Sequence, residues 1–196
     1  MRFVTKRGSI SDSAQHGAER EVREHCLQHL DALYTFARWL VQDAEEAQDL
    51  VQETYAKALR SGDQFRTGTN LKAWLFQILK HLFLNRRRQV GRGRAYTQDT
   101  RGQVMPSRLG AAETGHTIAS DLRLDVSRAI QQLPEEFQLA ILLSDVEEFS
   151  HEEIAAILGC PVGTVKSRLS RGRALLRRAL TAYTENRARE QVHELS

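Results

Sequence analysis

A chain of 196 residues, 41% apolar and with a formal net charge of +3, has room for one or two domains, and no apolar run in it is long enough to span a bilayer. Cys26 and Cys160 are too few and too far apart for a disulfide framework or a zinc site. The charged N-terminus lacks the apolar core of a signal peptide, so the cytoplasm is the expected compartment.

Three prolines and no β-type alternation leave helical periodicity dominant. The pattern predicts an all-α fold of two small helical domains joined by a flexible linker, the second containing a helix-turn-helix. Residues 1–18 are small and polar and read as a disordered tail. A first domain over 19–90 begins with one long helix marked by Val22, Cys26, Leu30, Leu33, Ala37 and Leu40. Asp43 and Glu46 have the spacing of a capping pair for a second helix, with Ala47, Leu50, Val51, Thr54 and Ala58 inward. Glu45, Asp49, Gln52 and Glu53 then share its outer face, an acidic stripe that is either a solvated surface or a partner's docking face.

After a turn at 61–70, Leu71, Leu75, Ile78 and Leu82 mark a third helix ending near Arg88. Trp74, Gln77, His81, Asn85 and Arg88 line one flank of it at steps near i+3 and i+4. Aromatic and amide side chains beside cations suit a single nucleic-acid strand, whose bases stack while cations follow the backbone. A tryptophan so placed is, by itself, more often a core residue than a platform. Residues 91–119 carry five glycines among Ser, Thr and Gln and read as a linker.

Periodicity resumes over 120–182 at Leu122, Val126, Ala129 and Ile130, breaks near Pro134, and runs through Phe137, Ile141 and Val146 into the helix-turn-helix. Ser150 and Glu153 have capping-box spacing, Gly159 can close that helix in a left-handed turn, and Pro161 suits the first turn of the next. In that next helix Val165 and Leu169 face inward, while Lys166, Ser167, Ser170 and Arg171 fall on the opposite side. Such a helix presents hydrogen-bonding side chains to a major groove while its neighbour holds it there. Between Ile154 and Leu180 there are six Lys or Arg and no acid; between Asp121 and Glu153 there are nine acids and two Arg. That polarisation, unlike the small net charge, points to phosphate. Residues 183–196 read as a C-terminal tail.

His151, Glu152 and Glu153 fall short of a helical zinc-protease motif, because Ala155 stands where its second histidine belongs. With no phosphate loop and no Cys/His ligand set, no catalytic residue, metal or cofactor is expected.

Three segments in order resemble the extracytoplasmic-function (group IV) sigma factors of bacterial RNA polymerase. DAEEAQDLVQETYAKALR (43–60) is similar to the family's core-polymerase-binding helix. FRTGTNLKAWLFQILKHLFLNRRR (65–88) is similar to its strand-reading and melting segment. LPEEFQLAILLSDVEEFSHEEIAAILGCPVGTVKSRLSRGRALLRR (133–178) is similar to its fourth-region domain. The resemblance implies a non-catalytic promoter-specificity subunit, acting in a stress response, that binds the β′ and β subunits of core polymerase. Glu45, Asp49, Gln52 and Glu53 would face polymerase. Phe65, Asn70, Trp74, His81, Asn85 and Arg88 would bind the minus-ten element, and Thr164, Lys166, Ser167, Ser170, Arg171 and Arg173 the minus-thirty-five duplex. An anti-sigma protein is the implied inhibitor, with no membrane insertion and no small-molecule substrate. Many family members have Asn where this chain has His81. The competing expectation is an autonomous helix-turn-helix regulator, which would carry a ligand pocket or receiver in place of the first domain.

Overall fold

A computed structural model of the chain describes residues 9–97 and 118–194, with side chains over 17–89 and 125–181. Among the described residues every regular element is helical, and no helix is long and apolar enough to cross a membrane. The chain divides into two compact units, Met1–Leu109 and Gly110–Ser196.

The first unit opens with α1 (Ser9–His25), continues through a 3₁₀ turn (Cys26–His29) into α2 (Leu30–Val41), and adds α3 (Ala44–Arg60) and α4 (Leu71–Thr97). Helix therefore begins inside the stretch expected to be a tail; residues 1–8 of that expectation lie outside the described residues. The reason is tertiary. Ala18 and Val22 are buried, and Gly62 lies so close to α1 that a Cβ on it would sit 3.3 Å from the Cα of Glu19. The single long first helix is also corrected. The tighter 3₁₀ turn shifts the phase of the apolar stripe, so Leu27 and Leu30 are 66% and 43% exposed while Cys26, Leu33, Ala37 and Leu40 stay inside. Tyr55 of α3 donates to the Cys26 carbonyl at 3.1 Å and ties the turn down. α2, α3 and α4 pack on one another, with Phe36 against Phe76 at 5.0 Å between ring centroids. α4 runs to Thr97, through Gly91 and Gly93, rather than ending near Arg88. The remainder of the expected linker, 98–117, lies outside the described residues.

The second unit comprises α5 (Ile118–Gln131), α6 (Glu135–Ile141) with a π-helical turn (Leu142–Val146), α7 (His151–Leu158) and α8 (Val162–Glu194). The predicted break near Pro134 separates α5 from α6. The π turn is one residue wider than an α turn: Glu147 N–H reaches back to the Leu142 carbonyl at 3.1 Å. Ser150 and Glu153 make the full capping box. Gly159 closes α7 at φ 69°, a left-handed conformation that favours glycine. Pro161 stands one position ahead of α8, where its carbonyl accepts from Thr164 and Val165. α8 extends to Glu194, across most of the expected C-terminal tail; residues 195–196 of that tail lie outside the described residues.

Candidate functional site

Asp43 caps α3 by accepting from the Glu46 N–H at 2.8 Å. This fixes the helix start and, with Leu50 and Val51 buried, turns Glu45, Asp49, Gln52 and Glu53 outward; all four are exposed. Glu53 is not isolated, for Arg86 of α4 donates to it at 2.7 Å. The acidic face of α3 thus borders the arginine cluster of α4.

The mouth of the α4 flank is a built turn. Thr69 bonds back to the Arg66 carbonyl through both backbone and hydroxyl, Gly68 takes a positive φ of 81°, and Asn70 accepts from the Ala73 N–H at 3.0 Å. Asn70 therefore serves the helix start, and its amide oxygen is engaged there. Phe65, expected among the strand-facing residues, is only 3% exposed. It packs against Trp74, ring centroids 5.3 Å apart and tilted by 52°, and so does not face solvent. Trp74 and Gln77 are half-buried, whereas His81, Asn85 and Arg88 are exposed on the same flank. Partial desolvation of the ring against α4, and then the positive charges of Lys80, Lys57 and Arg88, hold His81 below its ordinary pKa of 6.5 although the residue as a whole is exposed. At neutral pH it is therefore an uncharged donor and acceptor in electropositive surroundings. Lys80 was not among the expected residues; it is 5% exposed, and a lysine inside an apolar run gives no hint of that in sequence.

On α8, Val165 and Leu169 are buried while Lys166, Ser167, Ser170 and Arg171 are exposed, and Thr164 is half-buried. Ser167 donates to the Thr164 carbonyl at 2.9 Å, which leaves its oxygen as an acceptor. At 100° per residue, Lys166, Ser170 and Arg177 form one exposed row, and Ser167, Arg171 and Arg178 a second. Arg173 departs from expectation. Its guanidinium is turned onto Asp145 of the π turn, with Nε 3.2 Å from Oδ2 and Nη2 bonded to Oδ1, and it also donates to the Ser144 hydroxyl at 3.1 Å. Burial pushes the Asp145 carboxyl up, but the bonds from Arg173 and Ser144 outweigh it and hold the carboxyl below its usual value. Arg168 is likewise engaged, at 3.0 Å from Glu136 of α6. Arg173 is one of the residues that the resemblance assigns to the minus-thirty-five duplex, whereas Arg168 enters only through the basic count of α8. Among the described residues no group of three or more His, Cys, Asp or Glu converges as a metal site would.

A helix-turn-helix with two exposed polar and basic rows on its second helix defines a DNA-binding protein. Its relatives narrow this to one class. Residues 123–176 match the family model for sigma-70 region 4, and residues 27–93 that for sigma-70 region 2. The chain is 37% identical over 155 residues to the ECF RNA polymerase sigma factor EcfG of Rhodopseudomonas palustris, covering 79% of this chain and 82% of that one. It is 37% identical over 163 residues to the ECF RNA polymerase sigma factor SigE of Mycolicibacterium smegmatis, covering 82% of this chain and 62% of that longer protein. In structure it is similar to the sigma factor RpoE from Bartonella quintana, solved with the anti-sigma factor NepR, at a TM-score of 0.66 and 34% identity over 83% of this chain and 98% of that one. The chain belongs to the extracytoplasmic-function RNA polymerase sigma factors.

Proposed function

We propose that this sigma factor divides its work by surface: the acidic face of α3 docks core polymerase, the α4 flank captures unpaired minus-ten bases, and α8 reads the minus-thirty-five duplex. One observation carries the reading. Within a single small unit, exposed acids stand on α3 while an aromatic, amide and cation row stands on α4. A surface that repels phosphate beside one that attracts it serves two partners rather than one. The protein itself performs no chemistry; it works in the cytoplasm and supplies location and strand opening to polymerase in a stress response. An anti-sigma protein holds it inactive, the class of partner with which the Bartonella quintana relative was solved.

Reversing Asp49 and Glu53 to Lys tests the docking face. Both side chains are exposed, so each change should alter stability by only about 0.5 kcal/mol, and the lost Glu53–Arg86 pair by about 0–1 kcal/mol. Association with core polymerase should fall by more than tenfold, since opposing like charges across an interface costs several kcal/mol. The check is gel filtration and titration of a labelled chain with core enzyme. A folded double variant that assembles normally would remove these residues from the interface.

A further inference from the structure

Arg168 and Arg173 flank the buried stripe of α8, one on each side. At helical spacing, Val165, Leu169 and Gly172 form the stripe, Arg168 lies at one edge and Arg173 at the other. Arg168 meets Glu136 near the start of α6 at 3.0 Å, and Arg173 meets Ser144 and Asp145 in the π turn beyond its end. Between them the helices touch closely: a Cβ on Gly172 would lie 2.9 Å from Ile141 Cδ1 and 3.1 Å from Phe137 Cβ. A glycine at the crossing sets the distance between the helices but offers no side chain to fix the rotation of α8. The flanking pairs add to the hold that buried Val165 and Leu169 already give. The Arg173 grip is two-pronged, and a planar fork on a carboxylate fixes direction as well as distance. The widened turn brings Ser144 and Asp145 within reach of it.

We propose that α6 and its π turn clamp the reading helix, with Asp145 and Arg173 as positioning residues that set its rotation over the base pairs. This rests on the reading of duplex by α8. Hydrogen-bonding side chains discriminate bases only when held within about 0.5 Å and 10–20° of the productive geometry. Lys166, Ser167, Ser170 and Arg171 have no support of their own from α6; the residues interleaved with them, Arg168, Gly172 and Arg173, supply it. Because the Asp145–Arg173 pair is partly solvated, its contribution to stability is small. Its loss should therefore appear in base discrimination rather than in unfolding.

The test uses full-length protein in reconstituted holoenzyme, with a duplex enriched by the wild-type holoenzyme from a randomised pool and a panel of its single-base variants. Asp145→Asn and Arg173→Lys should unfold within a few degrees of wild type, since surface changes rarely do more. Both should lose discrimination by about tenfold at the positions α8 reads, the worth of a good base contact, with the slope of log affinity against log salt unchanged. Asp145→Glu, which restores a carboxylate, should recover most of the discrimination. Arg171→Ala is run alongside as the control for duplex reading. If Asp145→Asn binds tighter and its salt slope steepens by about one, Arg173 is a phosphate contact held in check, and the clamp is overturned. Unchanged discrimination in Asp145→Asn and Arg173→Lys, with a loss in Arg171→Ala, overturns the clamp alone. Unchanged binding by Arg171→Ala overturns the reading on which it stands.

Discussion

Leu169→Ala is expected to remove duplex binding by loosening the whole second unit. Leu169 is 2% exposed on the inner face of α8, in a core that includes Ile154 and Ile157 of α7 and Ile141 of α6. Truncating a buried leucine costs about 2–5 kcal/mol, from lost transfer energy and from the cavity left behind. Against a total stability of roughly 5–15 kcal/mol for an ordinary domain, that is a large share for a unit of this size. Helices α6, α7 and α8 hold one another through that core, so α8 should lose its place on α6 together with its order. Hydrogen exchange over 150–180 should accelerate by roughly 30-fold or more, about 2 kcal/mol at tenfold per 1.4, while exchange in α3 stays as it was. Ser170→Ala, one residue along on the exposed face, should leave exchange unchanged. Equal protection in the Leu169 and Ser170 variants would show that α8 is not held by this core.

The second large effect is expected at Trp74. It lies half-exposed above buried Phe65 at the head of the α4 flank, a placement that suits a stacking platform with a fixed floor. Stacking on an aromatic ring contributes about 1–3 kcal/mol per base, enough to offset much of the few kcal/mol needed to extrude one. Trp74→Ala should therefore reduce open complex by roughly 5–150-fold while closed complex forms within about twofold of wild type. Trp74→Phe should retain most of the opening. Permanganate reactivity on a matched and a pre-melted promoter reads the difference, since a pre-melted template should rescue the alanine variant in part. Normal opening by a folded Trp74→Ala protein would take the residue out of base capture.

Much of this was legible because it is local. Asp43 with Glu46, Ser150 with Glu153, and Gly159 are governed by neighbours three or four residues away, and the alternation of Val165 and Leu169 with Lys166 and Ser170 is the helical period itself. What the sequence concealed depends on distant partners. Arg173 is paired with a residue 28 positions earlier, and Arg168 with one 32 earlier, so a count of charges along α8 reveals neither pairing. The π turn that presents Asp145 carries no Pro or Gly to announce it. Phe65 read as part of a strand-facing loop because nothing nearby in sequence shows that Trp74 covers it. Helix α1 begins in small polar residues without a periodic signal, and its burial comes from the 62–64 turn more than forty residues away.

The most direct measurement separates a polymerase-dependent promoter reader from an autonomous DNA-binding regulator. A randomised duplex pool is selected with the chain alone, with core polymerase alone, and with both together. Only the mixture should enrich two sequence blocks at a fixed spacing, one read by each unit, and the chain alone should enrich neither. Equal enrichment of a single block by the chain without polymerase would contradict this expectation.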